Sequence, residues 1–413
     1  MLNFIKKNKV FSLSLIASIV LGLAFIYGIG FLKMVKTIDP EPERLRDQTF
    51  KIWDHQSFIK HGLLQFQCEQ DFKNRIAYTG RSPFYLIGMY QFYKLEKFNN
   101  KFSMRVIVPT LAMLLSLYAV LYINFCRGTA TFNWRQGSIL VLSILAFLTT
   151  PAWWISAGKA NVDNIYYFIF PLYIWVGFLV SSQKICFSKL RLALVGICLI
   201  APLYGFLLAL FLTILALTEK DKNYGLLKIS IGTLAISFLL FLVPHVVAKL
   251  LGFTSCSSSW GFRSGLDGDT AYFSNAFRAI FFPYDIRSFS YIIWPLFLLL
   301  AQLLFILKSK QIIFRDNLLN AGISDSKKFF SIIFSAYVLT VLFWPQSVAI
   351  HPYLYDTLLL GGISTWIIFN FNNYICFSEK PILWAFMALF LISFNLQKIA
   401  QASHTPLSCI FPP

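Results

Sequence analysis

The sequence predicts an all-α membrane protein, a polytopic bundle of about 11 transmembrane helices. Of its 413 residues, 57% are hydrophobic and only 13% are charged, which is too apolar for a fold with a water-facing surface. Apolar windows of roughly 20 residues, the length that a spanning helix needs, recur along the chain. Alternating ten-residue strands of the outer-membrane barrel type do not recur.

The first helix is expected near residues 10–33. The basic residues Lys6, Lys7 and Lys9 lie near the N-terminus and are followed by an apolar run from Val10 to Leu32. A signal peptide has the same order of basic and apolar residues, but this run is long and no small-residue cleavage site follows it cleanly. We therefore expect a retained helix with a cytoplasmic N-terminus, because basic residues resist translocation.

Ten further helices are placed on the apolar stretches that follow. They are predicted near residues 103–125, 138–157, 164–182, 190–203, 205–218, 227–250, 289–307, 329–345, 352–371 and 381–398. The stretch from 190 to 218 is divided at Pro202 into two short passes. One continuous helix there would put the basic loop at 308–328 outside, against the positive-inside rule.

The basic residues act as topology signals in this prediction. The formal net charge is +18, but Lys and Arg are spread through short loops instead of clustering with aromatic residues on one element. The charge pattern therefore favours a lipid bilayer as the partner and excludes a nucleic acid.

Two long segments fall on the predicted outer side of a single transmembrane domain that spans 1–413. Residues 34–102 interleave aromatic and charged side chains, which is typical of amphipathic helices in the membrane interface. Residues 251–288 are rich in Ser and Gly and indicate an irregular loop. That loop is either a mobile lid or a plain connection.

The acidic residues Asp39, Glu41 and Glu43 follow directly after the first helix. A carboxylate with a raised pKa at the membrane surface is suited to deprotonate an acceptor hydroxyl or amine. Alternatively, Glu41 and Glu43 only favour the N-terminus of a following interfacial helix.

A candidate anion site lies farther along the first outer segment. Arg81 stands before Pro83, which can open a helix at its first position. An Arg beside free backbone amides at a helix N-terminus would bind an anion, although Arg81 could equally anchor the segment at the interface.

Three more ionisable residues precede predicted helices on the outer side: Lys159, Asp163 and His351. Asp163 borders a strongly apolar run, where an ionisable group is costly unless it has a partner or a purpose. Lys159, four residues earlier, could be that partner in a structural ion pair. His351 could bind phosphate, transfer a proton, ligate a metal, or serve as a hydrogen-bonded structural residue.

In this order, the clusters resemble the GT-C superfamily of membrane glycosyltransferases, particularly its protein O-mannosyltransferase and aminoarabinose transferase branch. Asp39-Pro40-Glu41 stands where that family has an acidic motif, commonly Asp-Glu. The segment from Lys159 to Asp163 is similar to the family's Ala-Arg-x-Asp, with Lys for Arg. The turn at Pro202 is similar to its Lys-Gly-Pro turn without the Lys, and His351-Pro352 resembles its late outer motif.

The resemblance implies transfer of a sugar from a polyprenyl-phosphate donor to an acceptor on the extracytoplasmic face of a bacterial inner membrane. It would make Asp39 the general base, with Glu41 or Glu43 as the alternative. Arg81, Lys159 and His351 would stabilise the lipid phosphate, and Asp163 would orient that site or hold a divalent metal. Such a metal is not required by this chemistry.

Two other functions fit a many-helix membrane protein. An O-antigen polymerase or ligase would use Arg residues in a large late outer loop, such as residues 251–288. A lipid-linked sugar transporter or flippase would bury ionisable residues near the membrane midplane and often show inverted repeats. The helix interiors here are nearly free of charge, which disfavours the transporter.

Overall fold

The computed structural model describes nine longer stretches of the chain. They are residues 9–28, 41–56, 58–66, 69–79, 82–98, 134–148, 165–181, 185–218 and 223–256, with short helical pieces at 108, 111–116 and 118–119 and within 339–393. These residues are mostly helical, as predicted. The helices predicted near 289–307 and 352–371 lie outside them, so the total of 11 passes stays a prediction.

The helices follow the apolar stretches, with four additional helices in the first outer segment. In chain order they are α1 (Lys9–Gly28), α2 (Glu41–Gln56), α3 (Phe58–His61), α4 (Glu69–Lys73), α5 (Pro83–Phe98), α6 (Trp134–Leu148), α7 (Ile165–Ser181), α8 (Phe187–Ile200), α9 (Pro202–Thr218) and α10 (Tyr224–Leu250). The helix predicted from residue 138 begins at Trp134 instead.

The all-α prediction missed one small sheet. Strand β1 (Ile76–Tyr78) pairs in parallel with strand β2 (Thr254–Cys256). Three residues are too few for the alternation by which a strand is detected in sequence. The pairing joins the first outer segment to the start of the segment at 251–288, so these two segments meet at the same end of the bundle.

The division at Pro202 is confirmed as a break between two helices. Ala201 has φ −146° and ψ 85°, outside the helical region, because the ring of a following proline disfavours helical geometry in the residue before it. Pro202 is then the first residue of α9, a position where its missing N–H costs nothing.

Helices α8 and α9 run antiparallel to each other and pack closely against α10. A Cβ built on Gly205 of α9 would lie 2.6 Å from Cys198 Sγ of α8 and 2.9 Å from Ser237 Oγ of α10. Phe187, at the start of α8, lies against Gly225 at the start of α10. The chain therefore reverses at Ala201, and α8 and α9 form a hairpin beside α10.

The surface of α10 is that of a helix in lipid. It has 27 residues, and among the described helices it alone is long and apolar enough to cross a membrane. Its exposed side chains include Phe238, Leu239 and Leu250, which are 57%, 61% and 79% exposed. The 14-residue helix α8 rises only about 21 Å, less than the roughly 30 Å of a hydrocarbon core. The α8–α9 hairpin thus ends part-way along α10.

The first outer segment has a core of its own, made of two clusters. In one, Phe50 and Trp53 of α2 pack against Tyr85, Leu86, Met89 and Tyr90 of α5. In the other, Leu64, Phe66 and Ala77 pack against Ala248 near the end of α10. The second cluster fastens the segment to α10, which explains how β1 reaches β2.

The orientation of the bundle can be tested at Cys186, which is partly exposed just before α8. Ser188 lies 3.6 Å from its sulfur, and the Ser188 hydroxyl, followed by the Lys189 amide, lowers the pKa of the Cys186 thiol. Thiolates are the reactive form of cysteine. Because Lys189 and Arg191 predict a cytoplasmic position, a membrane-impermeant maleimide should label Cys186 in inverted vesicles and not in intact spheroplasts.

The labelling experiment uses a chain in which the other six of the seven cysteines are replaced by serine. Cys186→Ser in that background measures nonspecific reaction. Labelling of intact spheroplasts at Cys186 would reverse the predicted orientation.

Candidate functional site

Polar side chains from three elements meet where the first outer segment joins α10; we call this group the junction. The Thr79 hydroxyl, just after β1, lies 3.1 Å from Nε2 of His245 on α10 and 2.7 Å from Oγ of Ser255 on β2. Thr79 is 1% exposed. The strand pairing fixes this geometry, because it places Ala77 opposite Ser255.

A second anchor follows Thr79 by three residues. The Ser82 hydroxyl donates a hydrogen bond to the carbonyl oxygen of Leu199, at the tip of the α8–α9 hairpin. Pro83 then opens α5, which confirms the helix start predicted there. The two residues between these anchors, Gly80 and Arg81, lie outside the described part, so the anion-binding role of Arg81 stays a prediction.

The start of α7 packs at the same place. Phe168 contacts the rings of Tyr85 and Phe92 on α5, with centroids 5.9 Å and 6.0 Å apart. Asp163 precedes Phe168 by five residues in the sequence. Asp163 and Lys159 are outside the described residues, but the α7 turn that follows them lies against α5.

Of the acidic motif, the structure describes only the backbone at Glu41 and Glu43. Glu41 is the first residue of α2, and Glu43 lies in its first turn, where a carboxylate interacts favourably with the helix dipole. This placement agrees with the alternative in which Glu41 and Glu43 only favour the N-terminus of the helix. The side chains of Glu41 and Glu43, and all of Asp39, are outside the described part, so their catalytic role stays a prediction.

His351 also lies outside the described residues. Within the described stretches, no group of three or more His, Cys, Asp and Glu side chains is arranged to hold a metal ion. The divalent metal that Asp163 would hold therefore has no ligand set in this part of the chain.

Sequence reasoning missed the three residues of the junction. Thr79, His245 and Ser255 are separated by up to 176 positions, and none of them stands in a recognisable motif. One signal was present: His245 is an ionisable side chain near the end of an otherwise apolar helix, and such a residue needs a partner.

A second polar group lies between α2 and α5. The Tyr90 hydroxyl of α5 donates a hydrogen bond to the carboxylate of Asp54 on α2, and Lys94 Nζ lies 4.5 Å from the centroid of the Tyr90 ring. Burial, and then the Asp54 hydrogen bond, raise the pKa of Tyr90. This tyrosine therefore stays neutral and joins α2 to α5.

Two solved structures are similar to this chain. Both are crystal structures of ArnT from Cupriavidus metallidurans, one in the apo state and one bound to undecaprenyl phosphate. Identity is 16% and 15%, and the TM-score is 0.40 and 0.41, respectively. Each comparison covers 84% of this chain and 59% of ArnT.

The chain spans about three-fifths of the length of these neighbours. The likeness is distant, and it transfers no residue role to this chain. No protein-family model matches the sequence, and no curated protein matches it either.

Proposed function

We propose that this protein is a membrane glycosyltransferase that moves a sugar from a polyprenyl-phosphate donor to an acceptor on the extracytoplasmic face. One observation carries the proposal. The chain on both sides of Arg81 is fastened to the membrane bundle, through Thr79 to the end of α10 and through Ser82 to the tip of the α8–α9 hairpin.

This arrangement supports phosphate binding beside lipid. The anchors at Thr79 and Ser82 hold the backbone on either side of Arg81, which lowers the entropy that this short segment loses when it binds an anion, and the helix dipole of α5 is positive at this end. Because α10 exposes a broad apolar face, a prenyl chain could lie along the bundle while its phosphate reaches the junction.

In the proposed reaction, Arg81, Lys159 and His351 neutralise the phosphate as it departs. Asp39 takes the proton of the acceptor, with Glu41 or Glu43 as the alternative base, and Asp163 orients the phosphate site. Packing of Phe168 against α5 supports including Asp163, because that residue lies five positions before Phe168.

The test is sugar transfer in proteoliposomes that contain the purified chain and a radiolabelled polyprenyl-phosphate sugar. Undecaprenyl phosphate is the carrier to try first, with a panel of sugars and of lipid, glycan and peptide acceptors. Transfer that depends on the protein supports the proposal. Movement of the labelled lipid between leaflets without transfer would instead identify a flippase.

A further inference from the structure

One hydrogen bond of His245 has a direction that chemistry fixes. Nδ1 of His245 lies 3.2 Å from the carbonyl oxygen of Phe241, and a carbonyl can only accept, so Nδ1 carries a hydrogen. Pro244 lies inside α10 directly before His245, and it lacks an amide hydrogen. The side chain of His245 thus bonds to the backbone at a turn where the helix ladder is one bond short.

With Nδ1 committed, the state of Nε2 sets the direction of the remaining bonds. In neutral His245, Nε2 accepts from Thr79, and the Thr79 oxygen accepts from Ser255. In protonated His245, Nε2 donates to Thr79, Thr79 donates to Ser255, and the hydrogen of Ser255 is released to point elsewhere. Protonation of His245 therefore reverses the whole chain of hydrogen bonds.

Ser255 is the end of this series of hydrogen bonds that is accessible to a ligand. Thr79 is 1% exposed, and both ring nitrogens of His245 have partners. Ser255 is half-buried and begins the segment that leads into residues 257–288. The phosphate-binding residue proposed above, Arg81, follows Thr79 by two positions.

We propose that His245, Thr79 and Ser255 form a proton relay that donates to the departing lipid phosphate, with the Ser255 hydroxyl as the group that contacts it. This inference rests on the proposed function. It assigns a general acid to the reaction, in addition to the general base proposed at Asp39.

The bond between the sugar C1 and the phosphate oxygen breaks, and its electron pair stays on that oxygen. The phosphate takes the proton of Ser255, Ser255 takes that of Thr79, and Thr79 takes that of Nε2 of His245. The acceptor forms the new bond to C1 and loses its proton to Asp39.

Other ionisable groups lie on the elements that pack at the junction. Among the described residues these include Lys249, one turn after His245 on α10, Tyr78 at the end of β1, and Arg75, whose Nη1 lies against Gly252. The His61 ring contacts Phe253 beside β2, and α4, which packs against β1, carries Glu69, Asp71 and Lys73. Substitutions at Thr79 and Ser255 leave all of these charges in place, and they therefore separate the relay from general electrostatics.

The first experiment measures binding of undecaprenyl phosphate, without sugar, to the full chain in phosphatidylcholine vesicles from pH 5.5 to 8.5. Wild-type affinity should exceed that of His245→Gln about tenfold or more at low pH, the value of one charge-assisted hydrogen bond, and the difference should vanish at high pH. Equal affinities at every pH, or no binding by the wild type, would overturn the relay.

The second experiment compares Thr79→Val with Thr79→Ser in the transfer assay. Valine breaks the relay and should slow transfer about 100-fold, whereas serine keeps a hydroxyl and should restore most of the rate and the pH profile. Thr233→Val is the matched control, because the buried Thr233 hydroxyl donates to the carbonyl oxygen of Ile229 in its own helix, away from the junction. Equal rates for Thr79→Val and Thr79→Ser would contradict the relay.

The two experiments also separate the relay from the proposed function. A wild-type chain that shows the pH-dependent binding but transfers no sugar would refute the transferase and retain the relay as a phosphate-binding device. Transfer whose pH profile is the same in Ser255→Ala and in the wild type would retain the transferase and refute the relay.

Discussion

Asp39→Asn is expected to slow sugar transfer by about 10²- to 10⁴-fold, the usual contribution of a general base. Asparagine keeps the size and a hydrogen-bonding oxygen but cannot take a proton from the acceptor. The affinity for undecaprenyl phosphate should stay within a few-fold, because the phosphate contacts are assigned to other side chains. The measurement is the initial transfer rate at saturating donor, alongside lipid binding by the same preparation.

Glu41→Gln and Glu43→Gln are the matched controls for Asp39→Asn. Both residues lie in the first turn of α2, where the loss of a negative charge should cost only about 0.3–1 kcal/mol of helix stability. We therefore expect near-normal transfer from both. If one of these variants loses transfer while Asp39→Asn keeps it, the base is that glutamate and the assignment of Asp39 is wrong.

Local sequence signals predicted the local features of this fold. Pro202 predicted the break between α8 and α9, because a proline acts on the residue next to it and needs no distant partner. Pro83 predicted the start of α5 for the same reason. The apolar stretches predicted α7 and α10 to within a few residues, since hydrophobic length is a property of each segment alone.

The sequence did not reveal the contacts between segments. The pairing of β1 with β2 joins residues nearly 180 positions apart, and three-residue strands leave no periodic pattern. The same is true of His245 and Thr79, which are separated by 166 positions. Nothing in the sequence around Thr79 or Ser255 indicates that a histidine of α10 lies beside them.

The predicted site residues divide along the same line. The motifs at Arg81 and Asp163 stand in the sequence just before α5 and α7, and α7 packs against α5 through Phe168. Which atoms face a substrate depends on side-chain directions that no motif of two or three residues encodes. At the junction, by contrast, the contacts between the side chains of Thr79, His245 and Ser255 are described.

Gly205→Leu is expected to cause the largest loss of stability in the bundle. A Cβ at this position would lie 2.6 Å from Cys198 Sγ and 3.1 Å from Cys198 Cα, and α8 can retreat only by giving up its contact with α10. In membranes, such small residues let helix backbones approach closely. Overpacking at a buried site costs about 1–3 kcal/mol or more. The thermal midpoint of the detergent-solubilised chain measures this loss.

Gly232→Ala is the matched control for Gly205→Leu, since it lies on α10 with no atom within 4 Å of its added Cβ. That variant should be as stable as the wild type or more stable, because alanine favours a helix over glycine. A milder pair tests the contact itself. Gly205→Ala should destabilise the chain, and removing two side-chain atoms with Cys198→Ala and Ser237→Ala should recover part of the loss, leaving the clash with the Cα.

Substitution of Gly205 should also lower transfer activity, because the hairpin tip carries the carbonyl of Leu199 that accepts a hydrogen bond from Ser82. If α8 shifts, this anchor loosens and the segment with Arg81 gains freedom. Transfer by Gly205→Ala should then fall while the chain is still folded, at temperatures below its midpoint. Unchanged transfer together with lowered stability would mean that the tip of the hairpin supports the fold but does not position the phosphate site.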